Sequence, residues 1–172
     1  MTDLDAIFRA GSVRRWPANP DLCDTIDRVD AHSGRVARWL VALHPDPSIL
    51  LLKAALIHDD GEIAVGDVKA PAKDADPAFA AALARREDHH RWCLWGATAD
   101  VHLLEEERRW LHFCDRLDAY LWAQRHAPHA LSDDGWPEAR AWLIEEGAAL
   151  GALPKMLEQA LRRPAVERKA QS

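Results

Sequence analysis

The helical spacing of the apolar residues is the feature that most constrains how this chain can fold. One stripe at intervals typical of an amphipathic helix consists of Ile26, Val29, Val36, Ala37, Leu40 and Leu43. Ala, Leu and Arg are abundant, β-branched residues are sparse, and no run alternates with period two for long. The sequence therefore predicts an all-α fold, built as a compact multi-helix domain.

Proline and glycine positions predict where the helices begin and end. A short amphipathic opening over residues 1–12 precedes a loop, and Asp24 or Thr25 is the expected N-cap of the next helix. The predicted helices cover residues 24–44, 48–60, 77–97, 100–126, 137–149 and 154–161, and residues 61–76 are predicted to form a loop. A chain of 172 residues suits one domain, placed at residues 1–161, and residues 162–172 are expected to fray.

Charge and composition exclude several classes of function. The net charge of −6 gives no basic footprint, so duplex nucleic acid is not an expected partner. The N-terminus shows no secretory signal, and the longest apolar run, Ile49–Ile57, is too short for a membrane span. Cys23, Cys93 and Cys114 lack paired spacing, which predicts reduced, mostly buried thiols in a cytoplasmic protein.

A concentration of chemically active side chains follows the apolar run. Residues 58–62 read His-Asp-Asp-Gly-Glu, and Asp67 follows five residues after Glu62. If the helix continued through this stretch, His58 and Glu62 would lie one turn apart on the same face. Glycines in the stretch would let Asp67 turn back toward the same space. Such a group can hold a divalent cation and leave a carboxylate for proton transfer, although a solvated helix end is the alternative.

Three other positions have two interpretations each. Arg15-Trp16 stands before two prolines, either as a surface loop whose Trp covers the core or as a clamp for a phosphate and a ring; composition alone favours the surface loop. His32 lies in an apolar stripe, where a hydrogen-bonded core histidine is commoner than a ligand. Asp115 and Asp118 lie among apolar residues, where a buried carboxylate needs an ionic partner or a cation, unless it reaches the rim.

Together these residues resemble the signature of the HD-domain metal-dependent phosphohydrolases. His32, the His58-Asp59 pair and Asp115 occur in that order on three predicted helices. The resemblance covers residues 12–122 and extends to the small 5′-deoxynucleotidase subgroup. Its further matches are Arg15-Trp16-Pro17, Glu62, Asp67 and Pro71-x-Lys73. The subgroup usually has a Glu directly before the first His, whereas this chain has Ala31.

The resemblance implies a role for each matched residue. The ligands of one divalent ion, Co²⁺, Mn²⁺, Zn²⁺ or Mg²⁺, would be His32, His58, Asp59 and Asp115. Glu62 would position the attacking water or pass a proton, and Asp67 would lie near the sugar hydroxyl or the leaving oxygen. The substrate contacts would be Arg15 and Lys73 to phosphate, Trp16 to the sugar or base, and Ala18 beside a roomy base pocket.

The activity implied by the resemblance is hydrolysis of a deoxynucleoside 5′-monophosphate, a small-molecule nucleotide, to deoxynucleoside and phosphate. The alternative within the family is a dNTP triphosphohydrolase, which would convert dATP, for example, to deoxynucleoside and triphosphate. The family also tends to dimerise, so a homo-oligomer, a dimer or larger, is expected. Two other classes remain: a non-catalytic metal-binding regulatory module, and a di-iron bundle built on Glu87-x-x-His90, for which a second Glu-x-x-His is missing.

Overall fold

The computed structural model describes residues 3–68, 70–99, 102–133, 135–152 and 154–162. Helices are the regular elements of these ranges, together with one isolated antiparallel bridge between Arg14 and Arg28. The α-helices are α1 (Leu4–Gly11), α2 (Val29–Leu43), α3 (Ile49–Ile57), α4 (Ala70–Ala75), α5 (Pro77–Trp95), α6 (Glu105–His126), α7 (Trp136–Ala149) and α8 (Lys155–Arg162). Short 3-10 helices cover Asp60–Ala64, Gly96–Ala99 and Pro128–Ser132. The prediction of an all-α fold is confirmed.

The core is organised around α6, which packs against α2, α3 and α7. Its buried face carries large apolar side chains, and α2 and α3 add smaller ones. The main members are Trp110, Phe113, Cys114, Leu117, Tyr120, Val36, Leu40, Leu51 and Ala55. Burial of this apolar surface stabilises the fold. It also brings the start of α2, the end of α3 and the middle of α6 to one junction.

The start of α2 differs from the prediction. The helix begins at Val29, and Ile26, expected in the apolar stripe, is 82% exposed. The preceding Asp27 is fully buried, and its side chain accepts hydrogen bonds from Trp16 and Arg35. These side-chain bonds hold the chain in an extended entry to the helix. The expected N-caps, Asp24 and Thr25, therefore lie outside the helix.

The predicted helix over residues 48–60 is also shorter than expected. Ser48 caps α3 by accepting a hydrogen bond from the Leu51 amide, and the helix ends at Ile57. The chain then turns through His58 and Asp59 into the 3-10 helix Asp60–Ala64. The region predicted as a loop, residues 61–76, thus contains most of this 3-10 helix and all of α4.

Close packing against α5 explains why the turn requires Gly61. A Cβ atom at this position would lie 2.3 Å from the backbone oxygen of Glu87. Gly61→Ala is therefore expected to lower the free energy of unfolding by about 1–3 kcal/mol, because one of the two backbones must move. Gly34 in α2 has nothing within 4 Å of its Cβ position, so Gly34→Ala should raise stability by about 0.5–1 kcal/mol. Urea unfolding followed by tryptophan fluorescence compares the two variants, and equal midpoints would contradict the packing argument.

The remaining sequence-based expectations are met in part. Cys114 is buried, and burial together with the nearby Asp115 raises the pKa of its thiol to about 12. Cys23 is half-buried and Cys93 is exposed, so the prediction of mostly buried thiols is wrong for these two. No helix within the described ranges is long and apolar enough to cross a membrane. The predicted tail, residues 162–172, lies outside the described residues except for Arg162.

Candidate metal centre

The four predicted metal ligands meet at the junction of α2, α3 and α6. His32 comes from α2, His58 and Asp59 from the turn after α3, and Asp115 from α6. One potential ligand atom from each residue lies within 4.8 Å of the other three. The group could therefore hold a metal ion.

Both imidazole rings direct Nε2 toward the same two carboxylates. His32 Nε2 lies 3.0 Å from Asp115 Oδ1 and 3.4 Å from Asp59 Oδ2. His58 Nε2 lies 3.3 Å from Asp59 Oδ1 and 3.8 Å from Asp115 Oδ1. The centroids of the two rings are 5.3 Å apart. Two nitrogen and two oxygen donors thus surround one small space.

The other ring nitrogen of each histidine is held from outside the cluster. His32 Nδ1 lies 2.7 Å from Asp118 Oδ2, and His58 Nδ1 lies 2.9 Å from the Ala55 carbonyl oxygen. Because a carbonyl only accepts, His58 Nδ1 carries the proton, and in the neutral ring the Nε2 lone pair faces the cluster. His58 Nε2 is buried without a hydrogen bond. An unpaired buried acceptor is costly, so this donor set fits a bound cation.

Asp118 is the functional residue to which the sequence assigned no role. It is 2% exposed, and besides His32 it binds Trp39 Nε1 at 3.1 Å and Arg35 Nε at 2.9 Å. Arg35 also binds both carboxylate oxygens of Asp27. Burial would raise the pKa of Asp118, but hydrogen bonds from His32 and Arg35 outweigh burial and lower it. The signal was available, because Asp118 follows Asp115 by three residues and Arg35 follows His32 by three, so each pair shares a helix face.

The carboxylates hold a second ring proton on His32 in the metal-free protein. Burial and Arg15 would lower the pKa of His32, but hydrogen bonds to Asp115, Asp118 and Asp59 outweigh them and raise it to about 10. The pKa of Asp115 lies well below its ordinary value: burial opposes ionisation, and the hydrogen bond from His32 together with the charges of the two imidazoles overcomes that effect. The metal-free cluster therefore contains a cationic imidazole between anionic carboxylates at neutral pH.

Metal binding is therefore expected to release protons. His32 is protonated below about pH 10, so a divalent ion binding at pH 7 must displace about one proton, and its apparent affinity should rise with pH from 6 toward 9. Titration calorimetry in two buffers of different ionisation enthalpy measures the proton count. Equal observed enthalpies in the two buffers would contradict this prediction.

Glu62 lies beside the cluster and is itself buried. The residue is 6% exposed, and its Oε2 atom is buried without a hydrogen bond. Burial, with further contributions from the charges of Asp59 and Asp67, raises the pKa of Glu62 to about 9. The carboxyl group therefore carries a proton at neutral pH in the metal-free protein. A buried acid with a raised pKa is suited to proton transfer.

Arg15 contributes a buried cation that lacks hydrogen-bond partners. It is 7% exposed, and its Nε and Nη1 atoms are buried without hydrogen bonds. Nη1 lies 3.9 Å from Asp118 Oδ2, which is too long for a hydrogen bond. Burial would lower the pKa of Arg15, but the charges of Asp59 and Asp115 outweigh it and raise the pKa. The guanidinium thus lies in the negative electrostatic field of the cluster, and its Nε and Nη1 atoms are able to donate hydrogen bonds to a ligand.

Trp16 connects the Arg15 loop to Asp67. The Trp16 amide donates to Asp67 Oδ2 at 2.6 Å, and the residue has a φ of +68°, uncommon outside glycine. Its indole Nε1 donates to Asp27, and the Arg15 guanidinium lies 4.9 Å from its ring centroid. The ring is half-buried against the core, near Trp136. Asp67 is thus held against the Arg15 loop. Its role near a sugar hydroxyl or leaving oxygen and the contact of Trp16 with a sugar or base stay predictions.

The remaining predicted residues lie at the edge of the site. Lys73, on α4, has its Nζ atom 3.9 Å from Glu87 Oε1, and Ala18 is exposed in the loop after Trp16. The potential ligand group in the described part of the chain does not include Glu87 or His90, so the di-iron interpretation gains no support.

The donor set is the basis for a functional conclusion. Two imidazole nitrogens and two carboxylate oxygens suit divalent first-row metals. Comparisons with protein-family models, curated proteins and solved structures find no match for this chain. The chemistry must therefore be inferred from the cluster, the buried acid and the guanidinium of Arg15, whose Nε and Nη1 atoms make no hydrogen bond.

Proposed function

We propose that this protein is a metal-dependent phosphohydrolase of the HD-domain type that cleaves a deoxynucleoside 5′-monophosphate to deoxynucleoside and orthophosphate. One observation carries the proposal. Two inward-facing imidazoles and two carboxylates lie beside a buried guanidinium whose donors are unpaired. A cation site next to free N–H donors is what a phosphate ester requires, because its charged oxygens can be shared between them.

The metal would be held by His32, His58, Asp59 and Asp115. A divalent ion bound there would polarise the phosphoryl group and lower the pKa of the attacking water. Among Co²⁺, Mn²⁺, Zn²⁺ and Mg²⁺, the two imidazoles make Mg²⁺ the least suited. The Asp118 and Ala55 contacts hold the two rings by Nδ1, so their Nε2 atoms are pre-oriented before any ion arrives.

Arg15 would bind the phosphate group. Its idle Nε and Nη1 donors match the geometry of phosphate oxygens, and a phosphate would satisfy donors that are otherwise buried without partners. Lys73 would add positive charge from the edge of the site, since its charge also lowers the pKa of the nearby Glu62. Substrate binding would thus provide hydrogen-bond acceptors for the Arg15 donors that the folded protein buries without partners.

Glu62 would take part in proton transfer, and Asp67 would bind the sugar. Glu62 would position the attacking water or pass a proton between that water and the leaving 5′-oxygen. Asp67 uses Oδ2 to hold the Trp16 amide, which leaves Oδ1 to accept a hydrogen bond from a sugar hydroxyl. The loop would therefore couple phosphate binding to sugar binding.

Charge balance supports a monophosphate over a triphosphate. Arg15 and Lys73 supply positive charge close to Glu62. By contrast, Arg35 and Arg91 already hydrogen-bond carboxylates of the protein. A triphosphate would add negative charge next to a carboxylate-rich cluster, which repels it more strongly than it repels a monophosphate. Triphosphate release from a dNTP remains the alternative.

Chromatographic product analysis tests the proposal. Purified protein with Mn²⁺ or Co²⁺ is incubated with each deoxynucleoside mono- and triphosphate. Orthophosphate from a monophosphate supports the proposal, and intact triphosphate from a dNTP would establish the alternative. No product with metal bound would favour a non-catalytic regulatory module. A small residue at position 18 would leave room beside the base, so we expect base preferences below about 100-fold.

A further inference from the structure

Helix α5 packs against the turn that carries two of the four ligands. Three of its residues, Glu87, Arg91 and Trp95, recur at four-residue spacing and so lie on one face. Each of them meets a different part of residues 58–62. This face of α5 has no role in the chemistry described above.

Arg91 binds the peptide group that joins two ligands. Its Nη1 donates to the His58 carbonyl oxygen at 2.6 Å. That carbonyl lies at the C-terminal end of α3, where helices leave oxygens without internal partners and where a positive charge is favoured. The same peptide group links His58 to Asp59, so a charge-assisted bond to its oxygen sets the direction in which both side chains leave the backbone.

Two further contacts hold the next part of the turn. Trp95 Nε1 donates to Asp60 Oδ2 at 2.8 Å, and the Glu87 backbone is in close contact with Gly61. Asp59 and Asp60 are adjacent carboxylates, yet one faces the cluster and the other faces α5. The α5 contacts therefore select which of the two can serve as a ligand.

We propose that Arg91 is a positioning residue of the metal centre. It holds the turn so that His58 and Asp59 face the cluster, and Trp95 keeps Asp60 turned away from it. Arg91 is itself held by Asp88, three residues earlier on the same helix. This inference rests on the proposed metal site, but it concerns a residue that touches neither metal nor substrate.

The test compares three variants of the full-length protein with the wild type. Arg91→Met keeps the length of the side chain and removes its donors, and Arg91→Lys restores one donor. Arg108→Met is the matched control, because Arg108 also pairs with an acid three residues earlier, Glu105, and donates to a carbonyl. Arg108 lies at the start of α6, outside the turn.

Cobalt titration followed by visible absorption measures both affinity and ligand geometry. We expect Arg91→Met to weaken Co²⁺ binding by at least about 10-fold and to change the absorption bands, as for other supports of metal ligands. Arg91→Lys should restore most of the affinity, and Arg108→Met should match the wild type. Hydrogen exchange of residues 55–64 without metal should be faster in Arg91→Met alone. If this variant does not fold, Trp95→Phe should show changes of the same kind in Co²⁺ affinity, absorption bands and hydrogen exchange, but smaller ones.

The possible results separate the two proposals. Wild-type affinity and bands in Arg91→Met would overturn the positioning role, as would an equal loss in Arg108→Met. A wild type that takes up no Co²⁺ would overturn the proposed function. In that event, faster exchange in Arg91→Met would still support Arg91 as the residue that holds the turn, and unchanged exchange would overturn that role as well.

Discussion

Replacing Asp59 with alanine is expected to abolish both metal binding and phosphate release. Its carboxylate lies 3.4 Å from His32 Nε2 and 3.3 Å from His58 Nε2, so it faces both imidazoles at once. Residues that only support a ligand typically contribute 10–100-fold to metal affinity, so loss of a ligand should cost more than about 100-fold. Turnover that depends on the metal should then fall to the background rate.

Co²⁺ titration and a phosphate-release assay measure the two effects on the same Asp59→Ala sample. Asp46→Ala serves as a control, because Asp46 is an exposed aspartate in the connection between α2 and α3. Circular dichroism establishes that the variant is folded. If Asp59→Ala retained metal with near wild-type affinity, the ligand set would be wrong.

Replacing Glu62 with glutamine is expected to separate metal binding from turnover. The variant should bind metal normally, because Glu62 is not one of the four residues whose ligand atoms meet. Its kcat should fall by about 10²–10⁴-fold, since a proton-transfer group of the right pKa has been removed. Glu62→Ala should behave in the same way. Near full activity in either variant would show that Glu62 has no role in proton transfer.

The same substitution should not destabilise the protein. Glu62 Oε2 is buried without a hydrogen bond, so replacing this oxygen by the amide group of glutamine breaks none, and the protonated carboxyl is neutral like the amide. Folding raises the pKa of this carboxyl from 4.5 to about 9. Between these two pH values the unfolded chain has lost the proton and the folded protein keeps it, so the metal-free wild type should lose stability as the pH rises from 4.5 toward 9. Glu62→Gln should lack that part of the pH dependence. Thermal unfolding of both proteins between pH 5 and 9 measures the difference.

Two separate supports hold the four candidate ligands in place. On one side, Asp118 joins α6 to α2 through His32, Arg35 and Trp39. On the other side, α5 holds the turn after α3 through Arg91. A metal site needs its ligands held by such outer contacts, because each ligand side chain alone would sample several rotamers.

Much of this arrangement could be read from the sequence, because the determining signals are local. Apolar spacing specifies helices through the 3.6-residue repeat, and this predicted the all-α fold and most helix positions. The order of His32, His58-Asp59 and Asp115 identified the four side chains that the structure brings together. An inward position for His32 followed from its place in the apolar stripe, and it is fully buried.

The helix ends depended on contacts that local signals do not contain. The helix predicted from residue 24 starts at Val29, because Asp27 is held by hydrogen bonds from Trp16 in the preceding loop and from Arg35 one to two turns into the helix. The helix predicted to reach residue 60 ends at Ile57, where the chain turns beneath α5. Propensity and spacing describe one segment at a time, so they cannot locate an end that another segment imposes.

Only the tertiary structure decided how the chemical groups are used. Asp59 and Asp60 are adjacent and of the same residue type, but Asp59 faces the two imidazoles whereas Asp60 accepts a hydrogen bond from Trp95. His32 and Asp118 are 86 residues apart in the chain, yet their 2.7 Å contact sets the direction of a ligand ring. The pKa of Glu62 rises because packing removes it from water and places it near other carboxylates. The sequence determined which groups are present, and the fold decided their orientation and charge, because both depend on the distance and burial of residues far apart in the chain.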